Sequence, residues 1–116
     1  MTEYKIKPLS SISPKGLDRL QNTLCLLDES SEDPDGILVR STKLDEEILK
    51  GSLKAISRAG VGVNNIPIGA CTEKGIVVFN TPGANANAVK ELVLAGLMLS
   101  SRKVLSSIDF VKSLDH

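Results

Sequence analysis

Apolar and polar positions along the chain form short runs separated by turn residues, and the runs change character in a regular order. Residues 4–9 read as a first strand. Residues 14–20 read as a helix, with Ser13 in the capping position and Pro14 opening the first turn. Residues 23–27 read as a second strand, followed by the stretch Asp28-Glu-Ser-Ser-Glu-Asp-Pro-Asp35, an acidic, turn-forming and solvated connection. Gly36-Ile-Leu-Val39 is a continuous apolar run between turn residues, the pattern of a strand covered on both faces in a parallel sheet. Residues 42–47 look like a helix start, with Thr42 as the cap, Asp45 and Glu46 complementing the helix dipole, and Leu44, Ile48 and Leu53 facing one way. A fourth strand at residues 54–57 leads into a glycine-rich loop. A short helix at 67–74 is stopped by Gly75, and 76–79 form a fifth strand. From about 87 to 114, apolar residues recur at roughly helical spacing, through Val89, Leu92, Val93, Leu97, Val104, Ile108 and Val111.

Strands alternating with helices predict right-handed parallel βαβ units. The expected fold is α/β: a flavodoxin-like, three-layer domain with a five-stranded parallel sheet in the order 2-1-3-4-5. A closing helix of about 28 residues exceeds the usual ~11–12. Either it is a two-piece helix lying on the sheet, or it leads into a further domain or forms an interface.

Composition narrows the function. Lys plus Arg number 14 and Asp plus Glu 14, so the formal charge is zero and a nucleic-acid partner is disfavoured. Aromatic content of 3% with no Trp removes the usual base-stacking platform. The charged start is not a secretory signal. The stretch 89–99, broken by Lys90, Glu91 and Gly96, is too short and polar to span a bilayer, so no membrane partner is expected. Cys25 and Cys71 stand apart without metal-ligand spacing and read as small buried or half-buried thiols in a reducing cytoplasm.

In an open α/β sheet, ligands bind beyond the carboxyl ends of the strands. Three loops leave such ends: 39–43, 57–65 and 79–85. Arg40 and Arg58 stand at the ends of the third and fourth strands and would be neighbours if these strands pair. Two guanidinium groups there suit a carboxylate or phosphate; each is equally readable as a surface charge paired with Asp35 or Glu46. Gly60-Val61-Gly62 can bring backbone NH groups close to an anion through tight or positive-φ geometry, or can simply be a tight turn. It is not a dinucleotide fingerprint, because Asn65 stands where the third glycine would be. No catalytic set is visible: the one histidine, His116, ends the chain without a placed carboxylate partner.

Four linked segments carry a specific resemblance: Asp35-Gly-Ile-Leu-Val-Arg-Ser41; Leu53-Lys-Ala-Ile-Ser-Arg-Ala-Gly-Val-Gly-Val-Asn-Asn-Ile66; Thr72-Glu-Lys-Gly-Ile-Val-Val-Phe-Asn-Thr-Pro-Gly83; and Ala88-Val-Lys-Glu-Leu92. In order and spacing, over about residues 35–105, they resemble the D-isomer-specific 2-hydroxyacid dehydrogenases. The resemblance implies that the chain is the leading part of a split substrate-binding domain, with residues 87–114 as the helix crossing to an NAD-binding Rossmann domain. It implies substrate contacts from Arg40, Ser41, Arg58, Gly60, Val61 and Gly62, with Val61 also near the nicotinamide of NAD. The catalytic Arg, Glu and His would lie downstream, so these 116 residues alone would be inactive. The arginine pair most resembles the branch whose 2-hydroxy acid carries a phosphate. Asn64 departs from the family's usual Asp, and Lys90 from a commonly small residue. A cytoplasmic homodimer is expected, with the 87–114 helix as a candidate interface. The competing readings are a dehydrogenase for another small 2-hydroxy acid and a free-standing flavodoxin-like interaction module.

Overall fold

The computed structural model describes residues 3–21 and 23–114. The chain divides into two compact units, residues 1–82 and residues 83–116.

The first unit holds all five strands: β1 (Tyr4–Leu9), β2 (Cys25–Leu27), β3 (Gly36–Val39), β4 (Ala55–Arg58) and β5 (Val77–Phe79). Every pair is parallel, and the order is β2-β1-β3-β4-β5, as the alternating pattern predicts. Between β1 and β2 runs α1 (Pro14–Gln21), and between β4 and β5 runs α2 (Ile68–Glu73). The order steps one way from β1 to β2 and the other way from β3 to β5. Right-handed crossovers therefore put α1 and α2 on opposite faces of the sheet.

Register explains the core. Ile37 lies opposite Ile56, Ile56 opposite Val78, and Val39 opposite Arg58, so these residues share one face. Over that face the connecting segments lay Leu44, Leu49, Leu53, Ile66, Cys71 and Ile76, which form one buried cluster with Ile37, Val39 and Ile56. Each large aliphatic side chain buried this way contributes roughly 1.5–3 kcal/mol.

Several local expectations shift. Residues 42–47 do not open an α-helix. Only a single 3-10 turn forms, at Glu46–Ile48, and Asp45 makes no side-chain cap bond. The cause is tertiary: the Asn65 side-chain amide donates to the Thr42 carbonyl (2.8 Å), and the Leu44 NH donates to the Asn65 carbonyl (2.9 Å), holding 42–44 out of the helix. Leu49 rather than Ile48 takes the fully buried place. Thr23 does not begin β2, because its NH and hydroxyl close the end of α1 on the Leu20 carbonyl. β4 runs one residue further than expected, so Arg58 is its last residue.

The acidic stretch is more than a solvated loop. Asp33 accepts from the Ser52 NH (2.6 Å) and hydroxyl (3.1 Å), while Asp35 accepts from the Lys5 NH (3.0 Å) and the Lys54 ammonium. These bonds hold both carboxyls below the ordinary carboxylate range: the Lys54 bond is the leading cause for Asp35, and the Ser52 NH for Asp33.

The second unit, taken by itself, is a pair of helices. Where the periodicity predicts one helix over 87–114, α3 (Ala86–Ser101) ends and α4 (Val104–Ser113) begins after a break at Arg102 and Lys103. Lys103 adopts the left-handed conformation, φ 50° and ψ 35°, which a continuing right-handed helix excludes. No helix among the described residues is long and apolar enough to cross a membrane.

Candidate functional site

The carboxyl ends of β1, β3, β4 and β5 open onto one edge of the first unit, and loops 39–43 and 57–65 lie there with the 79–82 part of the third. β3 and β4 pair with Val39 opposite Arg58, so the chain positions of Arg40 and Arg58 are neighbours as expected. Their side chains are in different situations. Arg40 is exposed, and its guanidinium has no partner among the described residues; the suggested pairing with Asp35 or Glu46 is absent, Asp35 being taken by Lys54. Arg58 is half-buried and committed: its Nε donates to the Arg40 carbonyl (2.9 Å) and its Nη1 donates to the Gly62 carbonyl. Ser41 is exposed beside Arg40.

The turn at Gly60-Val61-Gly62 is held from behind through its oxygens. Thr81 NH donates to the Gly60 carbonyl (2.9 Å), Asn80 Nδ2 to the Val61 carbonyl (2.8 Å), and Arg58 to the Gly62 carbonyl. Among the described residues, no acceptor meets the NH groups of Gly60, Val61, Gly62 or Val63. A turn whose carbonyls are all occupied and whose donors are all free is suited to an anion such as a carboxylate.

The reason for the two glycines differs from the expectation. Neither lies in the positive-φ region; the glycines that do are Gly51, Gly75 and Gly83. Instead, the Arg58 guanidinium lies beside both. A Cβ on Gly60 would meet Arg58 Cζ and Nε at 3.5 Å, an ordinary contact, whereas one on Gly62 would come to 3.0 Å of Arg58 Nη1 and 3.2 Å of Asn64 Oδ1. Close approach by side chains, not backbone torsion, favours glycine at position 62.

Three supporting residues escape the sequence reading. Asn65 is nine-tenths buried, and its amide nitrogen bridges the Thr42 carbonyl (2.8 Å) and the Arg40 carbonyl (3.4 Å). Ser10, at the end of β1 with φ 79°, accepts the Thr42 NH (3.2 Å) and lies 2.7 Å from the Thr42 hydroxyl. Asn80 buttresses Val61 as described above. Asn65 and Asn80 sit in quoted motifs, but spacing does not say which way an amide turns. Ser10 sits in a polar run that carries no signal, although a left-handed serine at a strand end is the kind of strained position functional edges retain.

Val61 projects an apolar side chain that is 53% exposed, a surface on which an aromatic ring face can rest. A cleft of about 420 Å³ adjoins the turn through Val63 and Asn80, but its walls include Ile68, Cys71, Ile76 and Val78, so it is not the anion-binding surface. Burial pushes the Cys71 thiol up, away from reactivity. His116 lies outside the described residues.

Comparison with known proteins gives the family and the fold. The model of the family described as D-isomer specific 2-hydroxyacid dehydrogenase, catalytic domain, matches residues 9–109. A D-3-phosphoglycerate dehydrogenase of Archaeoglobus fulgidus is 47% identical over 73 residues, 60% of this chain and 14% of that protein. A hydroxypyruvate reductase of Thermotoga maritima is 49% identical over 69 residues, 57% of this chain and 22% of that protein. Among solved structures, the NAD+-bound 3-phosphoglycerate dehydrogenase of Entamoeba histolytica superposes with a TM-score of 0.69 at 32% identity, covering 84% of this chain and 39% of that one. The chain thus spans a minor part of the length of the relatives it matches.

Proposed function

The chain belongs to the D-isomer specific 2-hydroxyacid dehydrogenase family, and from that premise we propose that it forms the substrate-binding wall of an NAD-dependent dehydrogenase acting on a phosphorylated 2-hydroxy acid, D-3-phosphoglycerate. The observation that carries the reading is the turn at 60–63, with four unpartnered NH groups, next to the unengaged Arg40. The turn binds the substrate carboxylate. Arg40, on the adjacent strand tip with Ser41 beside it, meets the phosphate. Fixing both ends of the substrate orients the hydroxyl-bearing carbon between them.

NAD would supply the hydride acceptor, and the exposed side chain of Val61 would be the residue of this chain that lies against it. We assign no catalytic acid or base among these residues; proton transfer falls to an Arg, Glu and His set outside them. The 116 residues alone are accordingly inactive. A cytoplasmic setting and a place in serine biosynthesis go with this substrate. A second copy of the chain is the proposed cover for the apolar sides of α3 and α4, because a helix apolar all round is ordinarily a buried one.

The Thermotoga similarity favours a second substrate reading, a 2-hydroxy acid without phosphate. Family membership favours either dehydrogenase reading over a free-standing interaction module. Titrating the isotope-labelled chain with D-3-phosphoglycerate and with D-glycerate separates the two. Both ligands are expected to shift the amides of 60–63, the phosphorylated one at lower concentration, and Arg40→Gln is expected to bring the two level. Equal affinity in the wild type supports the unphosphorylated substrate. Silence of these amides toward both ligands removes the dehydrogenase site from this turn.

A further inference from the structure

The two arginines invite a single interpretation as twin anion clamps. The geometry points to a division of labour: Arg58 is a positioning residue that sets the shape of the 60–62 turn, while the Arg40 guanidinium, without a partner among the described residues, is left to meet an anion. This inference rests on the proposed carboxylate site and assigns one of its residues a different task.

A guanidinium carries five N–H donors in a rigid planar fork. In Arg58, Nε and Nη1 are turned onto main-chain carbonyls from two different loops, Arg40 on the β3 side and Gly62 on the β4 side. Two bonds to a rigid plane fix its position and tilt. The group lies against the turn closely enough that a Cβ on Gly62 would come to 3.0 Å of Nη1. The backbone is thereby clasped through its oxygens. The Gly62 carbonyl faces Arg58, the Val61 carbonyl faces Asn80 and the Gly60 carbonyl faces the Thr81 NH, leaving the NH groups of the same turn for a ligand.

The other end of the Arg58 fork ties this turn to the loop carrying Arg40. The Arg40 carbonyl also receives the Asn65 amide at 3.4 Å, so the main chain of Arg40 is held from two sides while its side chain stays free. One arginine thus provides geometry and the other provides reach. Gly62 follows from the same arrangement: it is where the guanidinium passes most closely.

A positioning role and a direct Coulombic role differ in what lysine can replace. An ammonium preserves the charge but cannot bond two diverging carbonyls from a fixed plane. Gly62→Ala makes the complementary test, displacing the guanidinium from the turn with its charge intact. The measurement is the backbone ¹⁵N–¹H order of residues 60–63 in the ligand-free chain, followed by titration with glycolate, a 2-hydroxy acid anion lacking phosphate. The amides of Ile37 and Ile56 report that the sheet is intact.

Arg58→Lys and Gly62→Ala are each expected to lower the order of the turn and to weaken glycolate binding about tenfold, the loss of one charge-assisted hydrogen bond. Arg40→Lys is expected to leave both unchanged. An ordered turn and undiminished glycolate binding in Arg58→Lys would overturn the assignment in favour of a direct charge contact, as would a Gly62→Ala chain indistinguishable from wild type. If Arg58→Lys fails to fold, Gly62→Ala decides. If the wild type ignores glycolate while both variants still loosen the turn, the positioning role stands and the proposed carboxylate site falls.

Discussion

Residues 1–82 and residues 83–116 are both rich in apolar side chains, yet they use them in opposite ways. Every buried hydrophobic residue of the described chain lies in the first region, between Ile37 and Ile76. The second region, taken by itself, buries none: Leu92, Leu97, Met98, Leu105 and Phe110 are all more than 60% exposed. The difference lies in architecture. A parallel sheet with its crossovers encloses a core even from four-residue strands, because register stacks Ile37, Ile56 and Val78 on one face and the connections cover them. The second region, taken by itself, is two helices, and a pair of short helices encloses little of the apolar surface they carry.

The largest test of this contrast is a pair of truncations. Ile56→Ala, at the centre of the sheet and fully buried, is expected to cost roughly 2–5 kcal/mol in urea unfolding. Leu97→Ala, 61% exposed, is expected to cost less than about 0.5 kcal/mol in dilute solution, where the chain is monomeric. Comparable costs would mean that the helices carry a core of their own.

Self-association sharpens the same contrast. With a second copy covering the helices, Leu97→Glu is expected to shift sedimentation toward monomer while leaving the unfolding midpoint of the sheet in place. A wild type that stays monomeric at high concentration would remove the second copy from the reading.

A smaller effect is expected at the helix break. Lys103 holds a left-handed conformation that costs an L-residue roughly 1–2 kcal/mol and glycine little, so Lys103→Gly is expected to stabilise the pair of helices by up to about 1 kcal/mol after the entropic cost of glycine. Loss of helical circular dichroism in that variant would show that the break is not built in.

The smallest effect is in acid, and it belongs to the sheet region alone. Asp33 and Asp35 have folded-state pKa values below the ordinary 3.8, so their contribution is fully present above that value and is lost as pH falls through the lowered folded values. Asp35→Asn is therefore expected to flatten the acid limb of the stability curve below about pH 4 and to leave neutral-pH behaviour nearly unchanged, since exposed pairs contribute little. An unaltered acid limb would show that the Lys54 and Lys5 bonds do not persist in solution.

Much of the fold is legible in the sequence. The strand runs, the order 2-1-3-4-5, the stop at Gly75 and the adjacency of Arg40 to Arg58 all follow from local periodicity, turn chemistry and crossover handedness, which short windows of sequence encode. The failures are equally physical. The helix start at Thr42 has good local chemistry and is overridden by an amide 23 residues away. The pattern over 87–114 leaves a two-piece helix open but does not say where it divides, because the sequence carries no glycine or proline at 102–103 to announce the break.

What the sequence determined by itself is the frame of the site: which strand ends meet at one edge, which loops hang from them, and that glycines and arginines stand there. Family membership rests on the match over residues 9–109. What only the tertiary structure decided is how the pieces are used. Arg40 and Arg58 are the same residue type at neighbouring strand ends, one register step apart, yet one has no partner among the described residues and the other is bound to two carbonyls. Gly62 is favoured by neighbouring side chains, Arg58 and Asn64, rather than by its own torsions. Such distinctions depend on which donor reaches which carbonyl across 18 to 25 residues of chain, and periodicity holds no record of that.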